Sequence, residues 1–232
     1  MREGIVDANP VIGTNKPPEP QSRDRVLTDA ELAEVWAASQ DNDYGRIVKL
    51  ALLTGARREE IGGLRRQELD AGRAELNLPP ERTKNGRPHI IPLSPLALSI
   101  VRAAPQREGR DYLFGGGAGA FSGWSKAKAA LDRRILEARR AEKTHKASDE
   151  VKPMPAWRFH DLRRTVATRM ADLGIQPHVI EAILNHVSGS KAGVAGVYNR
   201  SLYAAEKRGA LLLWADHIRA VLNGYNLQEP SM

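Results

Sequence analysis

Between residues 74 and 94 the chain reads "AELNLPPERTKNGRPHIIPLS", and here its hydrophobic period changes. "AELNLPP" and "HIIPLS" are short strand-like runs. The Asn-Gly pair between them is a strong short-range hairpin signal. A lone hairpin cannot bury its apolar face by itself, so its neighbours must cover it. Those neighbours read as helices on both sides. The expectation is therefore an α+β chain, mainly α-helical, with one small antiparallel sheet, and Lys84 at or beside the hairpin tip.

Upstream, "LTDAELAEVWAAS" places Thr28 three residues before Glu31, a capping box, with Leu32, Val35 and Trp36 on one face. A second helix is expected over Tyr44 to Thr54, stopped by Gly55. A third, short one in "EEIGGLRRQEL" turns Ile61 and Leu64 inward. Downstream, "PLSPLALSIVRAA" returns to helix. "SGWSKAKAALDRRILEARRAEKTHK" is long and basic, with Leu131, Ile135 and Ala138 marking an apolar stripe that ends before Pro153 and Pro155. "FHDLRRTVATRMADLG" ends at Gly174, "QPHVIEAILNH" follows with Pro177 near its start, and "EKRGALLLWADHIRAVL" is a last amphipathic helix. Residues 1–24 carry clustered Pro and polar residues without an apolar period, and read as a linker or disordered segment before one domain over 25–232.

The chain has 232 residues, enough to bury a sizeable core. It contains no cysteine, which excludes disulfides, thiol catalysis and Cys-ligated zinc, and suits a reducing cytoplasm. No apolar run is long enough to span a bilayer, and the N-terminus has no signal-peptide core. Thirty-five Lys and Arg against 28 Asp and Glu give a net charge of +7. A basic balance points toward polyanions, though a generic basic surface gives the same number.

Several groups could carry chemistry, and each is ordinary alone. Arg57 follows the helix-ending Gly55, at a turn that can aim a side chain into a cleft. His160 and Arg163 in "HDLRR" share a helix face. Lys84 lies in the hairpin turn, and His186 ends an apolar helix. Tyr198 follows Gly193–Val197, a run of small, flexible residues. Tyr203 lies close enough to compete with it, whereas Tyr44, Tyr112 and Tyr225 lack such a setting. Together they meet the needs of phosphoryl transfer to a phenol. Two guanidiniums can clamp the charge that spreads over a pentacoordinate phosphate. A lysine can protonate a departing alkoxide, and histidines can exchange protons near neutral pH. The list requires no metal and no cofactor.

"TGARREEIGGLR", "RTKNGRPHIIPLS", "FHDLRRTVATRM", "ILNHVSG" and "VYNR" resemble, in that order, the motifs of the tyrosine recombinases of the phage-integrase type, from about Arg25 to about Leu222. The resemblance implies a site-specific recombinase of a prophage or genomic island, acting on a double-stranded DNA attachment site in the bacterial cytoplasm. It implies that Arg57 and Arg163 hold the scissile phosphate, Lys84 is the general acid and His160 assists proton transfer at the nucleophile. His186 would hydrogen-bond the phosphate and Tyr198 would attack it, carried by the flexible segment before it. Glu60 matches a structural acid of the first motif; Arg58 and Arg164 would face DNA or solvent. His186 precedes Tyr198 by twelve positions, longer than in many members, which leaves delivery of the tyrosine within the chain or across an interface open. Members also carry arm-binding and core-binding domains ahead of the catalytic one, and this sequence contains neither. The family implies self-association as a tetramer on DNA through the last helix, and an excision factor as a further partner.

Three other readings compete. A type IB topoisomerase shares the chemistry but often carries lysine where His160 stands. A non-catalytic DNA-binding module would not need all six candidate residues. An HD phosphohydrolase needs further His and Asp ligands that the sequence does not supply. The basic stretch from Lys126 to Lys146 reads equally as a DNA-contacting surface or a solvated helix face.

Overall fold

The computed structural model describes residues 24–143, 151–186 and 203–226. Tyr198 and the Gly193–Val197 segment lie outside the described residues. The organising element is α2 (Asp43–Thr54). Asn42 caps its start, with its side chain accepting from the Gly45 N–H at 2.9 Å. Nearly every side chain of α2 is buried, Ile47, Leu50 and Leu52 completely. A helix buried along nearly its whole length must be covered on most sides. The cover comes from α4 (Pro95–Arg102), α6 (Phe159–Asp172) and α8 (Ala204–Asn226), with α1 (Asp29–Ala38) and α3 (Arg58–Gly62) alongside.

The expected capping box is present on α1. The Thr28 hydroxyl accepts from the Glu31 N–H at 3.2 Å, and the Glu31 carboxylate accepts from the Thr28 N–H at 2.9 Å. The third helix is shorter than its sequence suggested: it stops at Gly62, and residues 66–68 form a separate 3-10 turn. Ile61 and Leu64 are buried, as expected.

The sheet has three strands, ordered β1 (Leu69–Asp70), β2 (Glu75–Leu78) and β3 (His89–Pro92), all antiparallel. Leu76 faces Ile91 and Leu78 faces His89, all buried, while Ile90 points outward. The first strand was not anticipated; two residues carry no period to read. The connection over 79–88 is longer than a two-residue hairpin. It begins with a 3-10 turn at Pro80–Arg82 and closes in a turn where the Gly86 N–H reaches the Thr83 carbonyl at 3.2 Å. Lys84 and Asn85 are its central residues.

α5 (Trp124–Lys143) packs along α1. Leu131 and Ile135 are buried, but Ala138 is exposed. Much of its positive charge is used internally. Arg139 makes two bonds to Glu34, at 2.8 and 3.0 Å, and Arg134 donates to the Ala38 carbonyl at 2.9 Å. Lys128 pairs with Asp132 and sits 3.8 Å from the centre of the Trp157 ring. α7 (Pro177–Ile183) then leads back to the centre.

An aromatic ladder, Tyr44–Phe121–Trp124–Phe159, joins α2, α5 and α6, with ring centres 4.7 to 5.8 Å apart. It passes so close to α3 that a Cβ on Gly62 would lie 2.5 Å from the Trp124 ring. Gly62→Ala is therefore expected to cost about 1–3 kcal/mol, the usual penalty of overpacking, read as a lower denaturant midpoint.

Candidate active site

The last carbonyls of α2 have no partners within the helix. Gly55 turns the chain away in a left-handed conformation, φ 64°. A side chain there would also press on Leu184, 3.0 Å from the position of a Cβ. The exposed acceptors are filled from far along the chain. The Trp214 Nε1–H donates to the Leu52 carbonyl at 2.7 Å, and Arg163 Nη1 donates to the Gly55 carbonyl at 2.6 Å. Arg163 Nη2 donates to the Leu184 carbonyl at the end of α7. One guanidinium thus joins α2, α6 and α7 at a point. It is 4% exposed. Burial and the neighbouring Arg57 lower its pKa to about 10, with Glu60 opposing, so it stays charged at neutral pH.

Arg57 stands just before α3 and is held by Glu60. Its backbone N–H and its Nη1 both donate to the Glu60 carboxylate at 2.8 Å. Glu60 is 2% exposed. A buried carboxylate that caps a helix and grips a guanidinium fixes that guanidinium's direction.

Arg57, Arg163, His160 and Lys84 line one cleft of about 740 Å³, with Arg82 and Arg158. His160, in the first turn of α6, faces solvent. Its pKa is lowered by partial burial and then by Arg163 and Arg164, which favours the neutral imidazole. His186 is lowered by burial, then by Arg163 and Arg57. It does not line the cleft, but feels the charge of three residues that do, Arg163, Arg57 and His160. The structure thus brings four of the six candidate residues together, sets His186 beside them and leaves Tyr198 outside the described residues.

The neighbours also separate. Arg58 pairs with exposed Glu59 at 2.6 Å and lies 5.0 Å from the Trp124 ring centre. Arg164 pairs with Asp161 at 3.0 Å. Asp161 is buried and accepts from the Arg158 N–H at 2.8 Å, so it serves as a helix cap. Among the described residues no group of three His, Asp or Glu is placed to hold a metal ion.

Three features were not foreseen. Arg82 clamps the β2–β3 loop, donating to Glu68 at 2.8 Å and to the Glu60 carbonyl at 3.0 Å. Asn85 and Asn185 bond each other, joining the β2–β3 loop to the end of α7. His89 is buried on β3. The charges around it, Lys207 and Arg163, are distant in sequence, so no local pattern reveals it.

His89 is 4% exposed, and its ring nitrogens make no hydrogen bond of good geometry among the described residues. Burial, with Lys207 and Arg163 nearby, lowers its pKa to about 3, against a weaker opposite pull from the Ile183 backbone. The unfolded chain, with an ordinary value near 6.5, binds more protons below that pH. This contribution to stability is complete above pH 6.5 and is lost as pH falls toward 3. From pH 7 to 5 the loss is expected to be roughly 1–2 kcal/mol. Chemical denaturation at the two pH values should show it in the wild type and a smaller drop in His89→Gln.

The sequence pattern of the phage integrase family matches residues 25–204. Prophage integrase IntA of Escherichia coli K12 is 30% identical over 174 residues, covering 75% of this chain and 38% of IntA. The chain spans about two fifths of the length of the curated relatives it matches. Among solved structures, the integrase from mycobacterium phage Brujita has the same fold at TM-score 0.62 and 15% identity, over 94% of this chain and 70% of the other. The catalytic domain of bacteriophage HP1 integrase aligns over 89% of this chain and 98% of its own, at 18% identity and TM-score 0.50. The Tn1549 transposon integrase, solved with circular intermediate DNA, aligns over 75% of this chain and 61% of its own, at 19% identity and TM-score 0.52. At such identities these likenesses concern the fold alone.

Proposed function

This chain belongs to the phage integrase family, and from that premise we propose that it is the catalytic portion of a site-specific DNA recombinase. The observation that carries the reading is the pair of held guanidiniums, Arg57 and Arg163, on one cleft with Lys84 and His160. A phosphodiester is the group that two fixed guanidiniums and a lysine suit best.

The reaction follows from that placement. The two arginines bind the non-bridging oxygens of a DNA phosphate and offset the charge that grows there in the transition state. The Tyr198 oxygen attacks phosphorus, and its phenolic proton passes to neutral His160. The bond from phosphorus to the 5′-oxygen breaks, and the Lys84 ammonium protonates that oxygen. His186 donates a hydrogen bond to the phosphate. The product is a 3′-phosphotyrosyl ester with a free 5′-hydroxyl. Because one ester replaces another, a 5′-hydroxyl from a partner strand can reverse the step without ATP.

Double-stranded DNA is the proposed partner, supported by the Tn1549 relative's own DNA complex. The site of action would be the bacterial chromosome in the cytoplasm. α8 leaves Leu212 and Leu213 exposed, 38% and 46%. That apolar surface supports assembly with further copies on DNA, a tetramer in this reading, with an excision factor setting direction.

The test uses a library of nicked suicide duplexes with a randomised core, incubated with the 232-residue chain in EDTA at low salt. Adducts are recovered, their DNA sequenced and their protein digested and mapped. A metal-free adduct on Tyr198 supports the proposal. An adduct on Tyr203 moves the nucleophile. DNA binding with no adduct at any tyrosine would favour a non-catalytic binding module instead.

A further inference from the structure

Lys84 is exposed and sits at the tip of a long loop. A flexible ammonium placed only by its own chain is a poor proton donor, because effective molarity depends on orientation. The loop is fixed on one side by Arg82, and internally by the Thr83 hydroxyl, which donates to the Arg87 carbonyl at 2.7 Å. Asn85 reaches the other way. Its Nδ2 donates to the Asn185 carbonyl at 2.8 Å, and its Oδ1 accepts from Asn185 Nδ2 at 3.3 Å and from the Arg87 N–H at 3.2 Å.

Asn185 is left-handed, φ 48°, one of two such non-glycine residues among those described. Glycine would adopt this conformation at lower cost, but it has no amide to offer. The strained residue therefore supplies a bond that glycine could not. Lys84 adjoins one member of the pair and His186 adjoins the other.

We propose that Asn85 and Asn185 are positioning residues that tie the Lys84 turn to the end of α7, so that Lys84 and His186 address the same phosphate. This rests on the recombinase reading above. Neither residue touches the reacting atoms in that scheme. Asn85 acts through Lys84 by setting where its ammonium meets the departing 5′-oxygen.

The experiment compares wild type, Lys84→Ala, Asn85→Ala and Asn185→Gly on a suicide duplex recovered from the library. A second duplex carries sulfur in place of the 5′-bridging oxygen. There the phosphorus–sulfur bond breaks and the thiolate leaves without needing a proton, since thiols are far more acidic than alcohols. On the oxygen duplex Asn85→Ala is expected to lose about 10- to 100-fold in cleavage rate, and Asn185→Gly less, because its carbonyl remains. On the sulfur duplex both variants and Lys84→Ala should return to within about threefold of wild type, since no proton donor has to be placed. Equal losses of Asn85→Ala on both duplexes would make its role merely structural and overturn the proposal. So would a wild-type rate on the oxygen duplex. Lys84→Ala without rescue by sulfur would remove the proton donor that the pair is meant to place. A library that yields no adduct with wild type would refute the recombinase reading itself.

Discussion

Arg163→Ala is expected to lose about 10²- to 10³-fold in adduct formation and to melt well below wild type. The two losses have separate origins in one side chain. The guanidinium is a phosphate ligand in the proposed reaction, so its removal takes away a fixed donor where charge develops. It also donates to two buried carbonyls far apart in the chain, those of Gly55 and Leu184. Leaving buried acceptors unpaired costs about 1–3 kcal/mol each, so roughly 2–6 kcal/mol in total is expected. Arg163→Lys keeps the charge but not the fork, and should recover part of the stability and little of the rate. Arg57→Ala provides the contrast. Its side chain is 21% exposed and binds one carboxylate, so its rate should fall as far with a smaller loss of stability. Rates from the suicide duplex and midpoints from urea titration separate the two effects. A wild-type rate in Arg163→Ala would remove Arg163 from the chemistry.

Trp214→Ala is expected to be the most damaging single change to the fold. The side chain is fully buried, lies over His217 with ring centres 5.3 Å apart and closes the last turn of α2 through the Leu52 carbonyl. Truncating a buried tryptophan costs about 3–5 kcal/mol, and the unpaired carbonyl adds to it. In a domain of this size each kcal/mol lowers Tm by about 2–4 °C, so a drop of roughly 10 °C or more is expected in calorimetry. Trp214→Phe keeps much of the apolar volume and loses the N–H, so it should fall between. A Tm within a few degrees of wild type for Trp214→Ala would mean that α8 is not needed to complete α2.

How much was legible in the sequence depended on how far apart the cooperating residues lie. The Thr28–Glu31 box was readable because both halves fall within one turn of helix. The β2–β3 pair was readable because alternation marks each strand before its partner is known. β1 was not, since two residues show no period. The Asn-Gly signal located the turn, but the asparagine's side chain serves a partner 100 positions away. Arg57, Lys84, His160 and Arg163 were legible as types, and the fold supplies the cleft that joins them. What holds Arg163 was hidden, because backbone carbonyls carry no residue signature.

The closure of α2 also bears on how the chain is made. Leu52 waits for a donor 162 positions later, and Gly55 for one 108 positions later. During synthesis the N-terminal half emerges with the end of its central helix unsatisfied. Such contacts are slow to form and arrive last. A ribosome-bound or prematurely terminated chain therefore lacks both the cap on α2 and the settled guanidinium. Chains stopped ahead of α8 should be cut rapidly by protease and leave nicked DNA unlinked. On the recombinase reading, the capacity to cleave would appear only once α8 has been made and has docked on α2.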